Sequence, residues 1–407
     1  MKILFITQYY PPEIGAASNR IGYFAQFMAK AGHDVSVLTS SPNYPEGKIY
    51  PGYKNRYTKQ IENGVTVHRT RILLTSKSTT ISRLAHYLSF IASSLIAKFK
   101  IAKPDVIIAT SPPLFVGLIG VIFKKLWHTK LITDIRDIWP ESVESVGAVK
   151  NSRLLKQAKK LVQWIYKNSN HITVTSPGIQ KQIHPPPPTL HPITIIPNGA
   201  ELDLFKPETN GSQIRKKWNV EGKFVVLYTG NLGLAQAPEI FIKTAELLKG
   251  DHLDTTFLIV GSGVYLEKLQ AEAQKKGLTN LIFTGVQPRM RMPEFVAAAD
   301  VCIIPYKATD TFRNTFPSKM FDYMAGGKPI LINLEGEASE LIKKAKCGLL
   351  VKEENAQDMA NMILKLKSDR NLTKSLGKAG REFVEQHYQR KKIATLLQEV
   401  VAQVANR

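Results

Sequence analysis

The residues best suited to bind a charged ligand lie in a short segment between positions 313 and 329. Pro317 fits the first position of a helix, where its missing N–H costs nothing. The amides of Ser318, Lys319 and Met320 then have no intrahelical partner and lie at the positive end of the helix dipole. The ammonium group of Lys319 adds a mobile cation that can approach a phosphate. The segment therefore predicts a diphosphate site at the start of a helix.

Asp322 follows Lys319 by three residues, which places both on the same face of the predicted helix. Its carboxylate can accept hydrogen bonds from both hydroxyls of a ribose. A ribose site beside a diphosphate site indicates a nucleotide. The alternative is an ordinary helix whose charges are solvated.

Three junctions between a predicted strand and a glycine turn occur in the second half of the chain. They lie at Gly230 and Asn231, at residues 261–263, and at Gly285 and Gln287. The carboxyl ends of parallel strands line the ligand crevice in open α/β sheets. We therefore predict a nucleotide across these strand ends, with its base near Gly285 and Gln287 and the diphosphate between Gly230 and the Lys319 helix.

A second group of reactive side chains follows a predicted strand in the first half, at Arg136, Asp137 and Glu141. Asp137 or Glu141 could accept the proton of an acceptor hydroxyl or stabilise a positively charged, sugar-like transition state. We accordingly predict that Arg136, Asp137, Glu141 and Lys319 are catalytic. The alternative is a structural ion pair between Arg136 and a carboxylate.

The turn after the first predicted strand contains Gly15 and leads into a helix that carries Arg20. Free amides at a helix start favour an anion, so we predict that Gly15 and Arg20 help to bind the donor or a charged acceptor. The dinucleotide motif G-x-G-x-x-G is absent there, which argues against a nicotinamide or flavin enzyme.

Short apolar runs alternate with helix-like stretches along the chain, a pattern typical of α/β proteins with parallel sheets. Two Rossmann-like, doubly wound domains at 1–204 and 205–387 are the simplest interpretation, followed by an amphipathic helical segment at 388–407. Predicted strands occupy residues 2–7, 34–39, 65–72, 106–110, 130–135, 171–175, 193–196, 224–229, 256–260, 281–283, 301–305, 329–332 and 348–351.

The formal charge of +22 predicts a polyanionic partner: nucleic acid, an anionic membrane or phosphate-bearing substrates. The apolar stretches at 81–102 and 114–123 are too interrupted or too short to span a bilayer but could contact its surface. The alternative is that both pack on the sheet. The lysines that flank the apolar stretches are Lys98, Lys100, Lys103, Lys124, Lys125 and Lys130.

The two cysteines and the strand-like N-terminus favour a cytoplasmic location without a signal peptide.

With these motifs the chain resembles GT-B enzymes of glycosyltransferase family 4, which are retaining transferases. The family usually carries Glu-x7-Glu in this segment; Asp322 matches the second acid, whereas Asn314 stands at the first. The resemblance implies that Asn314 lies near the donor sugar and that Lys319 replaces the basic residues usually found after the first strand of the second domain.

A subgroup resembles the chain more specifically, the WbuB-like transferases of O-antigen and capsule assembly, through residues 41–47, 136–140 and 317–319. This resemblance implies transfer of N-acetyl-L-fucosamine from a UDP donor to a lipid-linked (undecaprenyl diphosphate) saccharide. It also implies a GT-B fold with an interdomain cleft between an N-terminal acceptor domain at 1–204 and a nucleotide-sugar domain at 205–387, and a C-terminal helix at 388–407 that packs on the N-terminal domain. It further implies no metal and no cofactor, and a peripheral position at the inner face of the cell membrane.

Two alternatives remain at this stage. A UDP-N-acetylhexosamine 2-epimerase shares the two-domain layout and would convert the donor without an acceptor. A nucleic-acid-binding protein would explain the charge, but the chain has no recognisable motif for reading a groove or stacking RNA bases, so we expect no nucleic-acid partner.

Overall fold

The computed structural model describes the chain except for residues 45, 75–79, 148, 150, 184–190, 251 and 253, and the side chains of 80, 81 and 83. The described chain forms two compact units. The first comprises residues 1–197 and 391–407, and the second comprises residues 198–390. The sequence analysis set these boundaries at 204/205 and 387/388.

The first unit contains an eight-stranded sheet in the order β3-β4-β2-β1-β5-β6-β7-β8. All neighbours are parallel except the β3–β4 pair. Its strands are β1 (Lys2–Ile6), β2 (Asp34–Ser40), β3 (Thr58–Glu62), β4 (Val65–Thr70), β5 (Val106–Ser111), β6 (Lys130–Ile135), β7 (His171–Val174) and β8 (Ile193–Ile195).

Helices of the first unit bury apolar faces against this sheet, as parallel sheets require. The helix at Leu114–Trp127 approaches β5 closely, because a Cβ added at Gly120 would lie 2.7 Å from the Ala109 side chain. Glycine is therefore needed at that position. The helices are α1 (Ala16–Lys30), α2 (Thr80–Ala97), α3 (Leu114–Trp127), α4 (Glu141–Ser145), α5 (Ser152–Asn168) and α6 (Pro177–Ile183), with a 3-10 turn at Lys98–Lys100.

The second unit contains a six-stranded, fully parallel sheet in the order β11-β10-β9-β12-β13-β14. Its strands are β9 (Phe224–Thr229), β10 (Thr255–Val260), β11 (Leu281–Gly285), β12 (Val301–Ile304), β13 (Ile330–Ile332) and β14 (Gly348–Leu350). Its helices are α7 (Ser212–Lys217), α8 (Glu239–Leu247), α9 (Leu266–Lys275), α10 (Met292–Ala298), α11 (Asp310–Arg313), α12 (Ser318–Ala325), α13 (Glu337–Lys344), α14 (Ala356–Ser368) and α15 (Arg370–His387).

The last helix, α16 (Arg390–Ala405), joins the first unit from Lys391 onwards. Its apolar side chains at Leu397, Val401 and Val404 are buried. The Gln398 amide lies 3.0 Å from the ring of His33 in the first unit. Residues 391–407 therefore form part of the first unit.

Every predicted strand has a counterpart, and the two Rossmann-like α/β units agree with the predicted fold class. One strand, β3, was missed because its exposed, polar side chains hide the usual apolar alternation. A signal was present nonetheless: Asn63 and Gly64, both with positive φ, form the two-residue hairpin that joins β3 to β4.

Candidate active site

The amine of Lys319 lies against the loop that follows β9 in the second unit. Its Nζ is 3.8 Å from the centroid of the Tyr228 ring. A Cβ added at Gly230 would lie 2.8 Å from the same Nζ. The Tyr228 hydroxyl in turn donates a hydrogen bond of 2.6 Å to the carbonyl of Asn231. The structure thus brings together the cation and the glycine turn that the sequence analysis assigned to one diphosphate.

Burial lowers the pKa of Lys319 from 10.5 to about 7. Desolvation disfavours the charged form, and the Tyr228 ring face offers only partial compensation. An anion placed beside this amine would restore its proton. The side chain is therefore suited to a ligand that brings negative charge.

The glycine turns after β9, β10 and β11 lie side by side because these strands are neighbours in the sheet. Gly230 donates its amide to Val260 at 2.8 Å, and Gly261 donates to Gly285 at 2.9 Å. A Cβ at Gly261, where φ is +141°, would lie 1.9 Å from the Gly230 carbonyl oxygen. Only glycine fits there, so the turns form one continuous backbone surface at the carboxyl ends of the strands.

Helix α12 begins at Ser318, after Pro317 in an extended N-cap conformation with no side-chain cap and no acidic residue in its first turn. The expectation of a free Met320 amide is wrong, because that amide donates to the Pro317 carbonyl at 3.1 Å within the first turn. The Met320 side chain is completely buried. The amides of Ser318 and Lys319 remain the candidate donors at this helix start.

The carboxylate of Asp322, unlike the amine of Lys319, is held by an arginine. Arg289 donates to both oxygens of Asp322, at 2.5 and 3.0 Å, and also to Glu201 at 2.8 Å. Although burial opposes the charged form, these two carboxylates raise the pKa of Arg289 above its ordinary value. Arg289 therefore orients the Asp322 carboxylate, whose remaining lone pairs can still accept from hydroxyls. Arg289 was not predicted as a site residue, since no pattern in the neighbouring sequence indicates that it pairs with Asp322.

The other predicted donor contacts differ in how accessible they are. Gly285, at φ +71°, has no atom within 4 Å of an added Cβ and borders open space. The Gln287 amide donates to the Thr284 carbonyl at 3.0 Å, and the Asn314 amide donates to the Asp310 carbonyl at 2.8 Å. Gln287 and Asn314 are thus held by local hydrogen bonds near the positions where the ligand was expected.

The first unit contains a cavity of about 280 Å³ at the turn between β1 and α1. Concave sites with aromatic walls and a few polar groups are typical of ligand pockets. The Tyr9 and Tyr44 rings lie 5.1 Å apart at this cavity, and the Tyr87 and Phe115 rings lie 5.6 Å apart. Its other lining residues include Glu13, Gly15, Arg136 and Trp139.

Arg136 is the cation of this cavity. Its Nη2 donates to the Pro112 carbonyl, while its buried Nε has no hydrogen-bond partner within the described part of the chain. Asp137, which does not line the cavity, has a buried Oδ1 that likewise lacks a partner, and burial raises its pKa from 3.8 to about 6. The predicted ion pair of Arg136 with a carboxylate is not among the salt bridges of the described residues.

Glu141 does not belong to this cluster, contrary to the sequence prediction. Its carboxylate is 42 % exposed, lies 3.6 Å from the amine of Lys159 and does not line the cavity. It is the first residue of α4, and its ion-pair partner Lys159 belongs to α5. We therefore withdraw Glu141 from the proposed catalytic residues.

Arg20 is also misassigned as a substrate contact. Its guanidinium is 2 % exposed and donates to both carboxylate oxygens of Asp134, at 2.9 and 3.0 Å. It also donates to the carbonyls of Ile196 and Pro197, each at 2.8 Å. Arg20 therefore ties α1 to β6 and to the segment after β8, and its charge is already neutralised.

Glu13 is a cavity residue that the sequence analysis did not select. Its carboxylate accepts amides from Tyr10 at 3.1 Å and from Asn43 and Tyr44 at 2.9 Å each. Burial raises the pKa of Glu13 to about 7, against the opposing effect of these hydrogen bonds. The residue fastens two loops around the cavity, which no local pattern could have revealed.

Each half of the chain matches the model of a known protein family. The first half matches Glycosyltransferase Family 4 over residues 17–204, and the second half matches Glycosyl transferases group 1 over residues 211–383. This chain is a GT-B glycosyltransferase. The predicted family is thereby confirmed at this level, in both halves of the chain.

Several individual proteins are similar to this GT-B glycosyltransferase. The putative colanic acid biosynthesis glycosyl transferase WcaI of Escherichia coli K12 is 27% identical over 346 residues, covering 82% of this chain and 84% of its own. Sucrose-phosphate synthase of Thermosynechococcus elongatus has the same fold, with a TM-score of 0.79 at 18% identity, covering 99% and 98% of the two chains. Anabaena HepE, solved with UDP-glucose, superposes with a TM-score of 0.72 at 18% identity, covering 99% and 100%.

Proposed function

We propose that this enzyme transfers a sugar, with retention of configuration, from a UDP-sugar to a lipid-linked saccharide in bacterial surface polysaccharide synthesis. The similarity to WcaI supports the polysaccharide role, and the fold shared with a UDP-glucose complex of HepE is consistent with a uridine nucleotide donor. The WbuB-like motifs favour N-acetyl-L-fucosamine as the donor sugar and an undecaprenyl diphosphate saccharide as the acceptor.

The observation that carries the donor assignment is the position of Lys319 beside Gly230. A diphosphate at this point would meet the Lys319 ammonium, the Ser318 amide and the positive end of the α12 dipole. These groups would stabilise the charge that develops on the departing UDP without requiring a metal ion. Asp322, oriented by Arg289, would accept hydrogen bonds from the ribose hydroxyls.

The cavity of the first unit suits the acceptor. Its aromatic walls would pack against sugar rings, and Arg136 would face the diphosphate of the lipid carrier. Asp137 follows Arg136 in the chain but does not line the cavity, so we do not assign it the proton of the acceptor hydroxyl. We assign the acceptor to this cavity, and we place the enzyme at the inner face of the cell membrane, where such carriers lie.

The experiment that tests the donor site is calorimetry of UDP binding at pH 8 in buffers of different ionisation enthalpy. Free Lys319, with a pKa of about 7, is mostly deprotonated at pH 8. The bound diphosphate must raise that pKa, so binding is expected to take up close to one proton. Lys319→Met should abolish the uptake and weaken UDP binding at least about tenfold, since a hydrogen bond to a charged group contributes about 1.5–3 kcal/mol.

Equal UDP affinity in wild type and Lys319→Met, at unchanged thermal stability, would remove Lys319 from the site. Lys319→Arg serves as the matched control, because it keeps the charge but cannot titrate near pH 8. Incubation of a UDP-sugar without acceptor separates the reaction classes, since a transferase gives at most slow hydrolysis and an epimerase would convert the sugar.

A further inference from the structure

Helix α2 in the first unit presents an apolar stripe to solvent. Leu84 is 42% exposed, Leu88 49%, Ile96 69% and Phe99, in the turn that follows, 86%. Their spacing of about four residues places them on one face of the helix, and Ala92, also exposed, fills the gap. Surface helices normally turn a polar face outward, whereas α2 leaves these apolar side chains in solvent although it also buries Phe90 and Ala97 in the core of the unit.

The inward face of α2 contains both polar and apolar residues. His86 and Ser94 are buried, at 8% and 0% exposure, alongside Phe90 and Ala97 at 1% and 2%. His86 lies 2.8 Å from the Gln8 amide and 2.7 Å from the Leu73 carbonyl, so its polar atoms have partners inside the unit. The helix therefore packs on the unit through a mixed inner face and carries a second, apolar face toward solvent.

An apolar groove of about 650 Å³ runs beside the stripe, between α2 and residues 71–74. Leu73 and Leu74, 53% and 37% exposed, form one wall, and Ala92 and Ile96 form the other. Stripe and groove together make an exposed apolar patch of the kind that marks an interaction site. We call this patch the α2 surface.

Basic residues border the described part of the α2 surface: Arg71 and Lys100 line the groove, and Lys98 lies beside Phe99. Between Glu62 and Asp105 the sequence contains no acidic residue. Lys98 lies over the Trp127 ring at 4.9 Å, and Lys100 lies over the Tyr57 ring at 4.3 Å. An apolar face edged by lysines and aromatic rings is the chemical signature of a protein that lies in a membrane interface.

We propose that the α2 surface docks on an anionic lipid bilayer, with the stripe and Phe99 among the acyl chains, Lys98 and Lys100 at the headgroups, and an acyl chain in the groove. Charge decides the occupant, because a second copy of a chain with net charge +22 would bring more positive charge to a basic rim. None of the described helices is long and apolar enough to cross a bilayer, so the proposed contact is interfacial.

Docking through the α2 surface would hold the enzyme at the membrane where the proposed lipid-linked acceptor lies, and its biological role rests on that proposed function. The test is flotation of the full-length protein with vesicles of phosphatidylcholine, with or without phosphatidylglycerol. Vesicle binding requires neither donor nor acceptor, so the proposal and the transfer reaction can fail separately.

The wild-type protein should float with the anionic vesicles and remain in solution with the neutral ones. Ile96→Gln combined with Phe99→Gln should reduce binding at least about tenfold, because both apolar side chains lose their burial in the bilayer. Lys98→Ser with Lys100→Ser should reduce it about thirtyfold, since each basic residue near an anionic surface contributes about 1 kcal/mol. Val264→Gln is the matched control, because Val264 is 70% exposed in the second unit, and it should bind like wild type.

Failure of the wild type to bind anionic vesicles would overturn the proposal, as would wild-type flotation of the Ile96 and Phe99 double variant. Self-association in sedimentation that depends on Ile96 would instead assign the α2 surface to a second copy. Should the double variant not fold, Phe99→Gln alone decides the question, because that side chain is almost fully exposed and its loss cannot disturb the core.

Discussion

Lys319 and Asp322 stand three residues apart on one helix, yet the structure gives them different surroundings. Lys319 extends to the glycine turn after β9, whereas Asp322 is held by Arg289 from the segment after β11. Removing the carboxylate partners of a partly buried arginine would leave an uncompensated charge and destabilise the folded protein. Arg289 therefore fixes the Asp322 carboxylate in one orientation, which a ribose contact requires.

Asp322→Asn should weaken UDP binding about tenfold or more, because hydrogen bonds to a charged acceptor contribute about 1.5–3 kcal/mol. Glu201→Gln is the control, since it takes the other carboxylate from Arg289 without touching Asp322. Both variants should lower the thermal midpoint, but only Asp322→Asn should change UDP affinity in calorimetry. A ribose role is excluded if Asp322→Asn binds UDP as tightly as wild type.

At the scale of secondary-structure elements, three adjacent strand ends form the proposed donor surface through close backbone packing. The approach of Gly261 to the Gly230 carbonyl leaves no room for any side chain. The parallel order β9, β10 and β11 thus converts three distant glycine turns into one surface. The shape of this site thus results from the packing of neighbouring strands rather than from any single residue.

Gly261→Ala should destabilise the protein far more than Gly222→Ala. Both positions have positive φ, which costs alanine about 1–2 kcal/mol, but only the Gly261 methyl group would collide with backbone, at 1.9 Å. Around Gly222 an added Cβ meets nothing within 4 Å. Thermal unfolding measures the difference, and equal midpoints for the two variants would show that the turns do not pack as described.

At the scale of the whole molecule, the chain leaves the first unit after residue 197 and returns to it at residue 391. The apolar face of α16 completes the core of that unit, with Val401 fully buried and Val400 and Val404 nearly so. The stability of the first unit therefore depends on the last residues of the chain.

Val401→Asp should lower the free energy of unfolding by about 3–5 kcal/mol, because it buries a charge without a partner. Gln403→Asp introduces the same charge at an exposed position two residues away and should have little effect. Chemical denaturation of both variants tests the assignment. If the two curves coincide, α16 does not contribute to the core of the first unit.

Local patterns allowed much of this protein to be predicted. Apolar runs of strand length, separated by helix-like stretches and glycine turns, led to every predicted strand and to the two-unit α/β organisation. Pro317, Ser318 and Lys319 marked the start of α12, because a proline at a helix start acts through its own backbone. These features depend on residues close in the chain, so the sequence by itself determined them.

The tertiary structure decided which of the charged side chains already have partners. Arg20 looked available but is neutralised by Asp134, and the pairing of Arg289 with Asp322 had no local signal. Glu13 acquires its role only because its loop meets residues 43 and 44. Likewise, only the fold shows that α2 buries Phe90 and Ala97 and leaves a second apolar stripe exposed, since the periodicity of a helix does not reveal which face the rest of the chain will cover.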